Sequence, residues 1–362
     1  MAQRTVPLKK PIRLGLIGCG GIARLNHIPV YQALPDLVQV VALADLLPDN
    51  LARMGELLGV PANQRYQDYR TLLAKADLDA VMIATPHSAH AEQVIAAAEA
   101  GMAIISEKPM ATSLDEADAI LAAVERANVP YAVVHNLLFT PPMQTALAEL
   151  RADKLGQPHM GRGQLLALKP ADLSANYRDP AQAWRATKAA GGGCIIDTSY
   201  HEIYSVEALM GSPIRYVEGR VKTMLFDIDV DDLALMLFEH ENGAVSTVSA
   251  SWCAPAMAAE SGRWCEVHAA HGSLRVHHRK DEPLWRYQRD GGWTSMDAPG
   301  QAEAIALGAP GLVGHAGFFA ATFTALANGD TMPVTGEMAR HNLAIIEAAR
   351  RASDERRAIE VT

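Results

Sequence analysis

Long apolar runs are missing from this chain of 362 residues, although 49% of its residues are hydrophobic. Every apolar segment stays well short of the ~20 residues that a bilayer-crossing helix needs, so no membrane span is expected. Cysteine is scarce: Cys19, Cys194, Cys253 and Cys265 are scattered without metal-ligand or disulfide-like spacing, and all four are expected to be reduced and structural, with no metal. Basic clusters are also missing and the formal net charge is −9, which argues against nucleic acid and for a small molecule as the partner. Met1 to Lys10 is polar and basic, with neither the apolar core of a signal peptide nor a twin arginine, so the expected location is the cytoplasm. The length suits two domains, each able to build its own core.

The stretch that is most informative runs from Ile12 to Ala23. A short apolar run breaks into glycines at Gly18 and Gly20, and Ala23 opens a helical segment. The spacing Gly18-x-Gly20-x-x-Ala23 fits a dinucleotide-binding turn: the first glycine makes the turn, the second admits a pyrophosphate, and the third small residue lets helix and strand pack closely. A second apolar run, Val38 to Ala44, ends in Asp45, slightly beyond the usual spacing of ~20 residues from the glycines. An acid there accepts hydrogen bonds from ribose hydroxyls and repels a 2′-phosphate, so NAD is expected rather than NADP.

Helical patterns over Ile22–Leu34 (interrupted by Pro29), Asp49–Leu58, Tyr69–Lys75, Ala89–Ala100 and Leu114–Asn128 alternate with apolar strands at Ala80–Ala84, Ala103–Ile105 and Tyr131–Val134. This alternation predicts a doubly wound parallel sheet over residues 1–135. Thr85-Pro86-His87 and Ser106-Glu107-Lys108-Pro109 then lie at the carboxyl ends of strands, the ligand side of such a sheet. His27 reads as a helix-surface or cap residue. After the junction at Pro141, Pro142 and the helix Met143–Lys154, strands follow one another without helices between them: Gly161–Leu168, Ile214–Met224, Asp232–Glu239, Ala244–Trp252, Trp264–Ala269 and Ser273–His277. Residues 136–362 are therefore expected to form an α+β domain with a large, mainly antiparallel sheet. The run Leu233–Phe238 is apolar throughout, as if both faces of its strand were covered. A helix over Glu337–Ala352 and a short strand over Ala358–Val361 close the chain.

Gly191-Gly192-Gly193 precedes a helical pattern with Ile196, Ile203, Val206, Leu209 and Met210 on one face. Asp197 and His201, four apart, project from one side of that helix, and Tyr204 continues the stripe. They read either as a functional pair or as a dipole-favoured acid beside a solvated histidine. Upstream lie Lys169, Tyr177, Arg178, Trp184 and Arg185. Trp184 with Arg185 fits a sugar platform, and equally a packed tryptophan beside a surface arginine.

In order and approximate spacing, the glycine turn, Glu107-Lys108-Pro109 and Gly191-Gly-Gly-x-x-x-Asp197-x-x-x-His201 resemble the Gfo/Idh/MocA oxidoreductases over nearly the whole chain. The resemblance implies a Rossmann domain joined to a sheet domain, NAD(P)-dependent oxidation or reduction of sugars and polyols, and a homodimer or homotetramer formed through the C-terminal sheet. It implies Lys108, Asp197 and His201 as the catalytic set. Cofactor contacts are expected from Gly18, Gly20, Gly21, Ile22, Ala23, Asp45, Thr85, Pro86, His90, Glu107 and Lys108, and substrate contacts from Lys108, Trp184, Arg185, Asp197, His201 and Tyr204. The bond before Pro109 is expected to be cis. Two positions depart from the family pattern: Tyr204 stands where many relatives have an aspartate, and Leu138 where many have an arginine.

Oxidising a secondary alcohol requires a base for the hydroxyl proton and positive charge at the oxygen. His201 suits the first role, Lys108 the second, and Asp197 would orient substrate or imidazole. An imine or pyrrole reductase, an NAD-dependent glycosidase working by transient oxidation and elimination, and a non-catalytic NAD-binding regulator are the other readings.

Overall fold

The computed structural model describes residues 6–167, 184–254, 263–277, 283–300 and 312–362. The chain forms two compact units, one from Met1–Asn136 with Leu307–Arg340, the other from Leu137–Ala306 with His341–Thr362.

The first unit is built on six parallel strands: β1 (Ile12–Ile17), β2 (Val38–Ala44), β3 (Arg65–Tyr66), β4 (Ala80–Ile83), β5 (Ala103–Ser106) and β6 (Tyr131–Val133). Their order is β3-β2-β1-β4-β5-β6, so the direction of winding switches between β1 and β4. Strands buried on both faces read as continuous apolar runs, and β4 and β5 are buried at every position. Sequence punctuation sets the helix ends. Asp68 caps Tyr69–Lys75 by accepting from the amides of Arg70 and Thr71, and Ser113 caps Leu114–Ala127, which ends at Asn128 in the left-handed conformation. The segment expected as one helix from Ile22 to Leu34 is instead a π-helical turn, Ala23–His27, followed by a short α-helix, Ile28–Ala33, with Pro29 in its first turn. Proline belongs there, because the first-turn amides have no helical acceptor. The helix Leu312–Asn328, which the sequence pattern did not reveal, belongs to this unit; its Phe319 ring lies edge-on to Tyr31 at 5.0 Å.

The second unit carries nine strands: β7 (Pro158–Leu166), β8 (Ile214–Lys222), β9 (Leu233–His240), β10 (Val245–Ser251), β11 (Arg263–Ala269), β12 (Gly272–His277), β13 (Leu284–Gln288), β14 (Gly292–Met296) and β15 (Ile359–Glu360). The order is β14-β13-β12-β11-β7-β10-β9-β8-β15, and every pairing is antiparallel except β7 with β10. β13 and β14 were not expected from the sequence. The helix Tyr200–Met210 packs across β7 and β11 with Ile203, Val206, Leu209 and Met210 buried. Burial of each large side chain contributes about 1.5–3 kcal/mol. On β9, Ala234, Met236 and Phe238 are buried beneath this helical layer, while Leu235 and Leu237 are 45% and 46% exposed. The expectation of two covered faces is therefore not met within this chain. Among the described residues no helix is long and apolar enough to cross a membrane.

Candidate active site

In the first unit the turn after β1 is shaped by Gly18, whose φ is 94° and whose amide donates to Ala44 O at 2.8 Å. A Cβ on it would lie 2.5 Å from Ala84 O, so only glycine fits. At Gly20 and Gly21 a Cβ would meet nothing within 4 Å. Protein packing does not demand glycine at those two positions; what they keep clear is the space outside the turn, which fits the close approach of a dinucleotide pyrophosphate. Asp45, at the end of β2, is fixed beside this turn. Its Oδ2 accepts the Cys19 amide at 2.7 Å, and its Oδ1 accepts the Leu47 amide at 2.8 Å and Asn50 Nδ2 at 3.1 Å.

The loops after β4 and β5 are tied together by His90. One ring nitrogen, Nε2, lies 2.9 Å from Thr85 O and the other, Nδ1, 2.7 Å from Pro109 O. The side chain is fully buried, and burial pushes its pKa down against the pull of those two carbonyls. Thr85 Oγ1 donates to Gln93 Oε1 at 2.6 Å. The Lys108–Pro109 bond is cis, as the resemblance implies. Lys108 itself is half-buried, next to the buried Glu107, whose Oε2 accepts the Lys108 amide at 3.2 Å.

Glu107 also forms a contact that sequence reasoning missed. Its Oε1 accepts from His27 Nε2 at 2.8 Å and lies 3.8 Å from His315 Nε2. His27 is fully buried, contrary to the expectation of a surface or cap residue, with Phe319 edge-on at 5.1 Å. The π-helical turn is the reason, since it changes the angular position of every residue that a regular helix pattern would assign. Burial would raise the Glu107 pKa, but the two imidazoles outweigh it and hold the carboxyl well below the usual range. Burial pushes the His27 pKa down against the pull of Glu107, and its Nδ1 has no hydrogen-bond partner among the described residues. The ligand atoms of His27, Glu107 and His315 lie within 4.8 Å of one another. However, the 2.8 Å His27–Glu107 separation is a hydrogen bond, shorter than the ~3.3 Å between ligands around tetrahedral zinc. His135, also buried here, has its pKa pushed down to about 3 by burial, with Glu107 opposing and Lys108 adding to the shift.

In the second unit the glycine-rich turn is packed from within. A Cβ on Gly192 would lie 2.1 Å from Arg185 O, and the Gly193 amide donates to that same oxygen at 3.0 Å. Asp231 holds the next step: its backbone oxygen accepts the Cys194 amide at 2.8 Å and its Oδ2 the Ile195 amide at 2.7 Å. Asp197 lies in a second π-helical segment, Ile195–Ser199, and not on the regular helix that the sequence predicts; the α-helix proper starts at Tyr200. The segment is pinned by Trp252 Nε1, which donates to Thr198 Oγ1 at 2.7 Å.

Asp197 is 9% exposed, and its Oδ2 lies 3.4 Å from Arg185 Nε. The Arg185 guanidinium stacks 4.4 Å above the Trp184 ring. The arginine is thus held between an indole and a carboxylate. His201 Nδ1 lies 2.8 Å from Tyr204 Oη, which accepts the Leu137 amide at 3.2 Å. Beside them Glu202 pairs with Arg263 from β11 inside the core. Lys169, Tyr177 and Arg178 lie outside the described residues. The structure thus brings together Gly18 with Asp45, Glu107 with His27, Asp197 with Arg185 and Trp184, and His201 with Tyr204. The first unit offers an anion-accepting turn and a cation at a strand end, and the second an imidazole with Nδ1 engaged by a phenol.

Residues 12–135 match the profile of the oxidoreductase family with an NAD-binding Rossmann fold, and residues 143–296 match the GFO/IDH/MocA C-terminal domain. The chain is 29% identical to a D-apiose dehydrogenase of Paraburkholderia graminis, over 99% of this chain and 92% of that protein. It is 30% identical to a levoglucosan dehydrogenase of Pseudarthrobacter phenanthrenivorans, over 75% of each. A solved levoglucosan dehydrogenase in complex with NADH and levoglucosan superimposes with a TM-score of 0.84 at 26% identity, covering 97% of this chain and 99% of that one. The first unit is accordingly an NAD-binding Rossmann domain, and the chain belongs to the Gfo/Idh/MocA family of oxidoreductases.

Proposed function

We propose that the protein is a dehydrogenase that moves a hydride between a secondary alcohol of a sugar, polyol or sugar derivative and NAD. The observation that carries this reading is His201, an imidazole on the first turn of a buried helix with Nδ1 engaged by a buried phenol, as an acid–base group is held. The relatives named for apiose and levoglucosan support a carbohydrate-like substrate.

When bound, the nicotinamide supplies the hydride acceptor. The residues of this chain do the rest. The turn at Gly18–Gly21 binds the pyrophosphate through its amides, and Asp45 takes the ribose hydroxyls. Leu46, next to it, offers no positive charge for a 2′-phosphate, which supports NAD over NADP. Thr85, Pro86, His90 and Glu107 set the shape of the loops around it. His201 takes the hydroxyl proton at Nε2 as the C–H bond breaks, and Lys108 stabilises the oxygen as it becomes negative. Asp197, neutralised by Arg185 on Trp184, orients the substrate. Tyr204 acts on His201. In reverse, His201 returns the proton to the oxygen of a ketone.

A homodimer or homotetramer in the cytoplasm is part of the same reading. Leu235, Leu237, Val245 and Met160, exposed on the neighbouring strands β9, β10 and β7, support a subunit contact there. The test is nicotinamide absorbance across a panel of pentoses, anhydrosugars and inositols. Growth of NADH with one of them is expected. Cleavage of a glycoside with no net NADH would replace this reading by the transient-oxidation glycosidase.

A further inference from the structure

Tyr204 lies one helical turn beyond His201 and is 4% exposed. Its hydroxyl oxygen accepts the amide of Leu137, a residue far away in sequence, at 3.2 Å and sits 2.8 Å from His201 Nδ1. Residues three apart on a helix are neighbours, so the ring contact costs little backbone adjustment. The Leu137 bond then fixes the phenol oxygen in place, and the ring packs edge-on against Tyr200 and His201. Burial pushes the Tyr204 pKa far up, opposed by the Leu137 amide and by Arg263 and reinforced by Glu202 and Tyr200. The group is therefore an uncharged phenol at neutral pH. Arg263 reaches it from β11 already paired with Glu202, the acid next to His201 in sequence, and Asp197, one turn before His201, is paired with Arg185.

We propose that Tyr204 is a positioning residue for proton transfer: it holds His201 through Nδ1, commits Nε2 to the exchange with substrate, and does so without charge. This rests on the acid–base role given to His201 above. As the substrate O–H bond breaks and the Nε2–H bond forms, Nδ1–H donates to the phenol oxygen, and Tyr204 keeps its own proton. The positive charge that appears on the ring is thus met by a dipole. A carboxylate in its place would favour imidazolium and raise the pH at which His201 becomes a base. The neutral phenol leaves His201 able to accept a proton at lower pH than a carboxylate-paired histidine would.

The test is the pH profile of kcat and KM for the full chain with NAD and the substrate found by the screen, in the native protein, Tyr204→Phe and Tyr204→Asp. Tyr204→Phe is expected to lower kcat about ten-fold with KM nearly unchanged, and to move the acidic limb to lower pH. Tyr204→Asp is expected to move that limb up by on the order of one pH unit. Nitrogen NMR of the His201 ring in all three proteins gives a readout independent of turnover, with the imidazole pKa expected in the order Phe, Tyr, Asp at position 204. Unchanged limbs and ring titrations, with only a lower melting temperature, would overturn the proposal and leave Tyr204 as packing. His201→Asn separates the two readings. If it is crippled while Tyr204→Phe is normal, only the positioning role fails; if it is fully active, the acid–base role itself fails.

Discussion

Asp231 is the group whose titration should be legible in stability. Burial pushes its pKa from the ordinary 3.8 up to about 6, opposed by the Ile195 amide and Arg350, with the adjacent Asp232 adding to the rise. The folded protein therefore binds a proton at this carboxyl more tightly than the unfolded chain does. Stability falls as pH rises through the window from about 4 to about 6, and the penalty is constant above it. At about 1.4 kcal/mol per pH unit the full displacement corresponds to about 3 kcal/mol. The side chain is half-buried, so solvent screens part of this, and about 1–3 kcal/mol is expected. Asp231→Asn removes the charge and keeps an oxygen to accept the Ile195 amide. Urea unfolding across that window should show wild-type stability declining with pH and the variant nearly flat, with the variant the more stable at neutral pH. Parallel stability curves for the two proteins would refute the reasoning, because they would mean that Asp231 titrates alike in both states.

Asp45→Ala should weaken NAD binding about ten-fold and narrow the preference against NADP, checked by fluorescence titration with both nucleotides; tighter NADP binding by the unaltered protein would contradict the role of Asp45. Lys108→Met should leave NAD bound and lower turnover about 10²–10³-fold, since the negative oxygen exists only along the reaction path; near-normal turnover would return Lys108 to a strand-end surface residue. His201→Asn and Asp197→Asn should each lower kcat, the former by about 10²–10⁴-fold, and the double variant should lose less than the product of the two. Small, independent losses with an unchanged pH profile would mean that the pair only decorates its helix.

Much of the fold could be read from local signals because those signals are themselves local. Gly18, with φ of 94°, and Asn128, with φ of 51°, terminate elements by their own backbone preference, and the apolar runs of β1, β4 and β5 announce a sheet covered on both faces. β13 and β14 escaped notice because Trp285, Arg286, Gln288 and Ser295 form no clear alternation at the edge of a sheet. His27 and His315 lie in distant parts of the sequence and come together beside Glu107, so neither carries a signal of its own. The order of motifs put forward Lys108, Asp197 and His201 as candidates. The partners that surround them, Arg185 at Asp197 and Tyr204 with its Leu137 anchor at His201, follow from tertiary packing. Leu235 and Leu237 show the reverse case: the sequence run suggests a doubly covered strand, and within one chain only one face is covered.

The two π-helical turns, Ala23–His27 and Ile195–Ser199, open the helices that follow the glycine turn and that carry His201. Such a turn is in effect a one-residue insertion accommodated within a helix. Deleting a single residue from Ile195–Ser199 would let an ordinary α-helix run straight from Cys194 into Tyr200, with its hydrogen bonds intact. The residues before the deletion would then be turned by ~100° relative to those after it, so Asp197 would leave Arg185 while Ile203 and Val206 kept their places in the core. Chain length at these two points therefore sets which side chains meet Arg185 and Glu107. Because Ile195, Ile196 and Thr198 are buried in the same turn, a one-residue change in length here would move the candidate site and its packing together.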